Sequence, residues 1–295
     1  MIKRPYQGQP RPRDRARGVR LTLGAILLCA APVATASPQG GLQVYPVPRE
    51  LLYSAHNDDY TVRVRKAGGD WQDLYEYRVQ VDTDTKLNAS MVYFDFEGTV
   101  ELEVFKNNGR FDTASVAPLS SGVRVDRRGD VLRMTLTRPE SFSLQFDDDR
   151  LRNLHIIAGA VPTPPPAGAH VRRFGPGLHV PPEGGDVFPV KSGEHIYLEG
   201  GAVLRGSFML EGLSNVKISG RGMLWDPGRA IDLEKARNVA ISDLILVNSD
   251  RKDAARVMNI RNSSDIVVSG IAAFTSGKWS DGINISTSRH IKVED

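Results

Sequence analysis

Between Phe208 and Asp295 the apolar and polar positions follow one short pattern, written four times. Segments starting at Phe208, Ile231, Met258 and Ile283 carry apolar residues at their first and third places and again eight and ten places on. The pairs are Phe208/Leu210, Ile231/Leu233, Met258/Ile260 and Ile283/Ile285, then Val216/Ile218, Val239/Ile241, Ile266/Val268 and Ile291/Val293. Starts are 23, 27 and 25 residues apart, and a third apolar column is expected at Met223, Leu246 and Ala273. Alternation in short runs rich in Val and Ile, punctuated by Gly, Ser, Asn and Asp, excludes a helical repeat and predicts stacked strands. A polar residue stands in register before each second strand, at Asn215, Asn238, Asp265 and His290, as for a turn ladder bonding to the backbone of the next coil. The fold predicted is a right-handed parallel β-helix over residues 174–295, opening with Val187, His195 to Leu198 and Ala202 to Leu204.

Upstream, from about Gly41 to Val161, the pattern is strand after strand. Tyr60, Val62 and Val64 alternate with Thr61, Arg63 and Arg65, and Tyr75, Tyr77, Val79 and Val81 alternate with polar partners. Met91 to Phe96 is more continuously apolar, broken only by Asp95, as for a strand covered on both faces. Further strands at Val100 to Val104, Gly122 to Val125, Val131 to Leu136, Ser141 to Phe146 and Leu154 to Ile157 predict an antiparallel β-sandwich over 41–161. Val161-Pro162-Thr163-Pro164-Pro165-Pro166 opens a stiff connector over 162–173. A β-helix needs a cover at its first coil, and the sandwich with its connector is expected to supply it.

The first 36 residues stand apart. Seven basic residues and Asp14 precede an apolar run from Leu21 to Ala31 and then Ala34-Thr35-Ala36, the order of a secretory signal peptide cleaved before Ser37. The run is too short to span a bilayer, which takes about 20 residues. With those residues removed, the net charge of +3 becomes −3. The basic balance therefore gives no case for nucleic acid. Cys29, the only cysteine, leaves with the leader, so neither disulfides nor cysteine metal sites follow. The expected protein is secreted or periplasmic, monomeric, free of the membrane after cleavage and without a cofactor. The acidic runs His56-Asn57-Asp58-Asp59 and Asp147-Asp148-Asp149 fall where turns are expected and read as solvated loops rather than Ca²⁺ sites.

Candidate chemistry lies at Trp279-Ser280-Asp281-Gly282, directly before the fourth repeat. Asp281 is two places before Ile283, where earlier coils carry Gly206, Arg229 and Arg256, so this column is not a uniform polar ladder. A carboxylate at Asp281, an aromatic at Trp279 and a cation at Arg256 along one solenoid surface make a candidate sugar site, with Asp281 catalytic and Arg256 and Trp279 binding substrate.

The chain resembles the polygalacturonase-like glycoside hydrolases of family 28, and its element order also resembles the dextranase and isopullulanase group of family 49. The likeness rests on Phe174-Gly175-Pro176-Gly177, Tyr197-Leu198-Glu199-Gly200-Gly201-Ala202, Ile218-Ser219-Gly220-Arg221-Gly222 and Ser280-Asp281-Gly282. Of the Asn-Thr-Asp-Gly motif of family 28, only Asp281-Gly282 matches. Trp279 and Ser280 depart from that pattern, and the departure bears on pectin specificity more than on hydrolysis. The family's further motifs, Asp-Asp, Gly-His-Gly and Arg-Ile-Lys, would fall past Asp295, so the sequence reads as a truncated piece, inactive by itself. The resemblance implies inverting hydrolysis of a polysaccharide, with acid and base roughly 6.5–9.5 Å apart around a water and Asp281 on the base side. A dextranase-like hydrolase, a polysaccharide lyase and a non-catalytic carbohydrate-binding β-helix are the alternatives.

Overall fold

The computed structural model describes residues 40–81, 87–226, 229–248, 257–276 and 281–295. The leader read at 1–36 lies outside them. Residues from Leu42 to Ala160 form two sheets packed face to face. An outer sheet has the strand order Gln72–Asp73, Tyr60–Lys66, Val100–Lys106, Val131–Leu136, Asp126–Arg128. The strand expected at Gly122 to Val125 stands instead at Asp126–Arg128. An inner sheet runs Leu42–Val44, Asn88–Phe96, Asp149–Ala160, Glu140–Phe146, Ala114–Ala117, with Tyr77–Gln80 also paired to Asn88–Phe96. Alternate residues such as Val62, Val64, Leu102, Val104, Phe94 and Phe142 fill the layer between them. The sandwich is not purely antiparallel. Asp149–Ala160 forms a hairpin with Glu140–Phe146 and on its other edge lies parallel to Asn88–Phe96, from Leu154 beside Ser90 to Ala160 beside Phe96. That pairing is long-range, and local alternation in the sequence carries no sign of it.

From Val171 onward the chain winds into three parallel sheets of six, five and five strands. Successive coils place Phe188, Phe208, Ile231, Met258 and Ile283 in one column. Val216, Val239, Ile266 and Ile291 form another. Both columns point into the solenoid core, where Phe208, Ile231 and Met258 are fully buried. This is the architecture the repeat predicts: all-β, a β-sandwich followed by a parallel β-helix.

The third column requires a correction. Met223 pairs with Ile245 and Ala272, whereas Leu246 and Ala273 pair with Leu224. Ser219, Ser242 and Ser269 are in register, but three residues (Gly220, Arg221, Gly222) separate Ser219 from Met223, against two in each of the next coils. The extra residue shifts the strand, and equal spacing in sequence misplaces it. The turn ladder also differs from expectation. Asn215, Asn238, Asp265 and His290 all adopt left-handed backbone conformations, with φ of 58°, 52°, 60° and 53°. Their contacts run side chain to side chain: Asn238 Nδ2 donates to Asn215 Oδ1 at 2.7 Å, and His290 Nδ1 is 3.0 Å from Asp265 Oδ1. Bonds to the neighbouring coil's backbone come from hydroxyls instead, with Ser263 Oγ accepting from the Ala236 N–H and Ser288 Oγ from the Ser263 N–H.

The sandwich does not sit over the first coil as expected. It lies along the flank, against the sheet of Ala202–Leu204, Met223–Trp225, Ile245–Asn248 and Ala272–Thr275. Val203, Met223, Trp225, Ile245, Val247 and Phe274 pack with Tyr77, Val79, Met91, Tyr93 and Ile157 in a shared apolar seam. Tyr45 belongs to the same seam, and its ring passes so close to Gly200 that an added Cβ would lie 1.9 Å from Cε1. Only glycine fits there. The seam is the second cover that the largely apolar run Met91 to Phe96 anticipates.

Candidate functional site

With one flank under the sandwich, the sheet built from Ser207–Glu211, Ile231–Glu234, Met258–Arg261 and Ile283–Ser286 keeps an outward face that is polar. Strand parity sends the first and third places inward, so the second place of each strand looks out. Stacked there are Met209, Asp232, Asn259 and Asn284. The three polar members form a directed hydrogen-bond row: Asn284 Nδ2 donates to Asn259 Oδ1 at 2.7 Å, and Asn259 Nδ2 donates to Asp232 Oδ1 at 3.1 Å. Asp232 is only 2% exposed. Its charge is met by Arg229 Nη1 at 3.0 Å and by Arg261 Nη2 at 3.9 Å. Arg261 also reaches Glu234, at 3.2 Å, and Glu234 accepts from Asn262 Nδ2 at 2.8 Å.

Asp281 stands at the head of this face. It is exposed, next to Gly282, whose carbonyl accepts the Met258 N–H at 3.1 Å and so ties the segment to the coil below. Arg256 and Trp279, the other two site residues expected from sequence, lie outside the described residues. Arg229, which occupies the Arg256 column one coil earlier, is engaged with Asp232.

Asp232 is not among the site residues expected from sequence, because the repeat is defined by its inward apolar columns. The signal was available: the place between each apolar pair is polar in three consecutive coils. Asp232 is not a catalytic partner for Asp281. Two coil steps of about 4.8 Å and three residues of about 3.3 Å put their backbones roughly 14 Å apart, beyond the separation of roughly 6.5–9.5 Å that an inverting pair keeps. Two arginines and an amide already occupy its oxygens. Its role is to anchor the row, which orients the Asn259 and Asn284 amides. Among the described residues no group of three or more His, Cys, Asp or Glu is arranged to hold a metal ion.

No family model matches the sequence, and no curated protein matches it. Among solved structures, Dex49A from Penicillium minioluteum is similar with a TM-score of 0.48 and 13% identity, over 83% of this chain and 67% of that one.

Proposed function

We propose that this chain belongs to a secreted glycoside hydrolase that cleaves a polysaccharide by inverting acid/base chemistry, polygalacturonase-like in its motif, with Asp281 as a catalytic carboxylate. The observation that supports this reading is the outward polar row of Asp232, Asn259 and Asn284 headed by the exposed Asp281. Asp232 and Asn259 are buried, so the part of the row open to a sugar is its end at Asn284 and Asp281. A parallel stack repeats at about 4.8 Å, so a carboxylate one coil on and displaced along the strand stands at the separation an inverting pair needs. One carboxylic acid then protonates the leaving oxygen while Asp281 helps hold and deprotonate the attacking water. The row fixes the orientation of the half-buried Asn284 amide, which suits a sugar hydroxyl, while Asn259 is buried behind it.

The test uses the protein as its gene encodes it. Reducing-sugar release is measured on polygalacturonate, rhamnogalacturonan and dextran, and Asp281→Asn is made in the active enzyme. The amide fills the same space but takes no proton, so kcat should fall by roughly 10² or more with KM little changed. Near-normal turnover in that variant returns Asp281 to a turn carboxylate before a strand.

A further inference from the structure

The outer sheet of the sandwich faces away from the solenoid, with the sandwich core and the inner sheet between them. Its exposed side carries alternating charge. Asp73, Arg63, Glu103, Arg133 and Asp126 are cross-strand neighbours in that order, and Arg133 holds the buried Glu103. Next to this row a groove of about 740 Å³ opens between the 121–126 loop and the strand Val131–Leu136. Five arginines line it against three acids, so among the described residues its balance is positive.

Two features make this groove more than a charged dent. Trp71 is half-buried, with the Arg65 guanidinium 4.2 Å from its ring centre. Arg65 is itself held by Glu101 at 2.6 Å. The indole is therefore fixed before any ligand arrives. The second feature is Arg124, which is exposed and makes no hydrogen bond or ion pair among the described residues, while Arg138 across the groove is paired to Glu140. A fixed aromatic ring offers a surface to the apolar face of a pyranose, and a guanidinium fork matches a carboxylate.

We propose that this groove is a second binding site, for a carboxylated glycan chain, separate from the polar face of the solenoid. A nucleic acid is disfavoured because Glu101, Asp126 and Glu140 interrupt the positive charge that a phosphate backbone would need. Two sheet layers of about 10 Å each separate the groove from the solenoid flank, so one long polymer can engage both sites and gain from the linkage. The proposal does not depend on Asp281 being catalytic.

The experiment is affinity electrophoresis of the full chain in native gels containing polygalacturonate, dextran or a single-stranded oligonucleotide. Polygalacturonate should retard the protein, less so at about 0.5 M salt, where screening is within a few ångströms. Arg124→Glu should weaken the apparent affinity at least roughly fivefold by replacing attraction with repulsion at the groove. As an exposed residue without a partner, it should leave the fold, followed by circular dichroism, unchanged. Trp71→Ala should weaken binding as well, and Asp281→Asn should not. Absence of retardation by polygalacturonate overturns the proposal, as does equal retardation by dextran or tighter retention by the oligonucleotide. Unchanged retardation in a folded Arg124→Glu protein overturns it too, since binding would then reside elsewhere.

Discussion

Gly220 sets the register of the solenoid's third sheet. It has φ of +121°, and a Cβ there would lie 2.0 Å from the Leu198 carbonyl oxygen, which already accepts the Arg221 N–H at 2.9 Å. Alanine thus meets both a disfavoured backbone conformation and a backbone clash that no rotamer relieves. Gly220→Ala is predicted to destabilise by about 2–4 kcal/mol, measured as a drop in the urea midpoint at unchanged slope. A cost below about 1 kcal/mol would mean that the coil relaxes around the methyl group. The same residue explains one misreading. Spacing alone aligns Met223 with Leu246, because an extra residue in a turn leaves no trace in the apolar pattern on either side. The column that ends in Ile283 illustrates the opposite: no residue is inserted between its strands and their aligned partners, and its stacking follows the spacing.

At the scale of elements, legibility follows burial. Strands with one covered face, such as Tyr60–Lys66, alternate and could be found and phased from sequence. Met223–Trp225 and Ile245–Asn248 are buried on both faces. With parity lost, a slip of one residue was invisible, and so was the partner that covers them. The seam contains a further consequence at His155, on the strand Asp149–Ala160. Its Nδ1 is 2.7 Å from Ser143 Oγ, and its ring stands edge-on to Phe274 at 5.2 Å. Burial pushes its pKa down to about 4, so the folded protein holds it neutral. Above its ordinary value of about 6.5 both states are neutral and nothing is lost. As pH falls from there toward 4, the unfolded chain takes up a proton that the folded one refuses. Stability drops through that window, by roughly 3 kcal/mol at its lower end. Urea midpoints of the wild type and His155→Gln at several values between pH 8 and 4 isolate this contribution. The difference between the two proteins should change with pH in that window, and a constant difference would remove His155 from the account.

For the whole molecule, the lateral docking of sandwich on solenoid decides which faces remain for function, and one buried ion pair sits at that seam. Asp95 is fully buried on the strand Asn88–Phe96, and Arg221 follows Gly220 in the extra-residue turn. Arg221 Nε lies 2.8 and 3.0 Å from the two carboxylate oxygens, and the Tyr45 hydroxyl donates to Oδ2 at 2.5 Å. Burial raises the Asp95 pKa, while Arg221, the Tyr45 hydroxyl and the Gly159 N–H pull it back. The pairing is not visible in the sequence, since 126 residues separate the two partners and neither marks the other. A pair so buried contributes little by existing, because desolvation offsets its attraction, yet breaking it is expensive. Arg221→Met should therefore cost about 3–5 kcal/mol by stranding the carboxylate, whereas Arg221→Met combined with Asp95→Val should cost clearly less. The single variant's deficit relative to wild type should also shrink as pH falls, because protonation of Asp95 removes the stranded charge. If the double variant is as unstable as the single one at every pH, it is the shape of the arginine at the seam, and not its charge, that holds the sandwich to the solenoid.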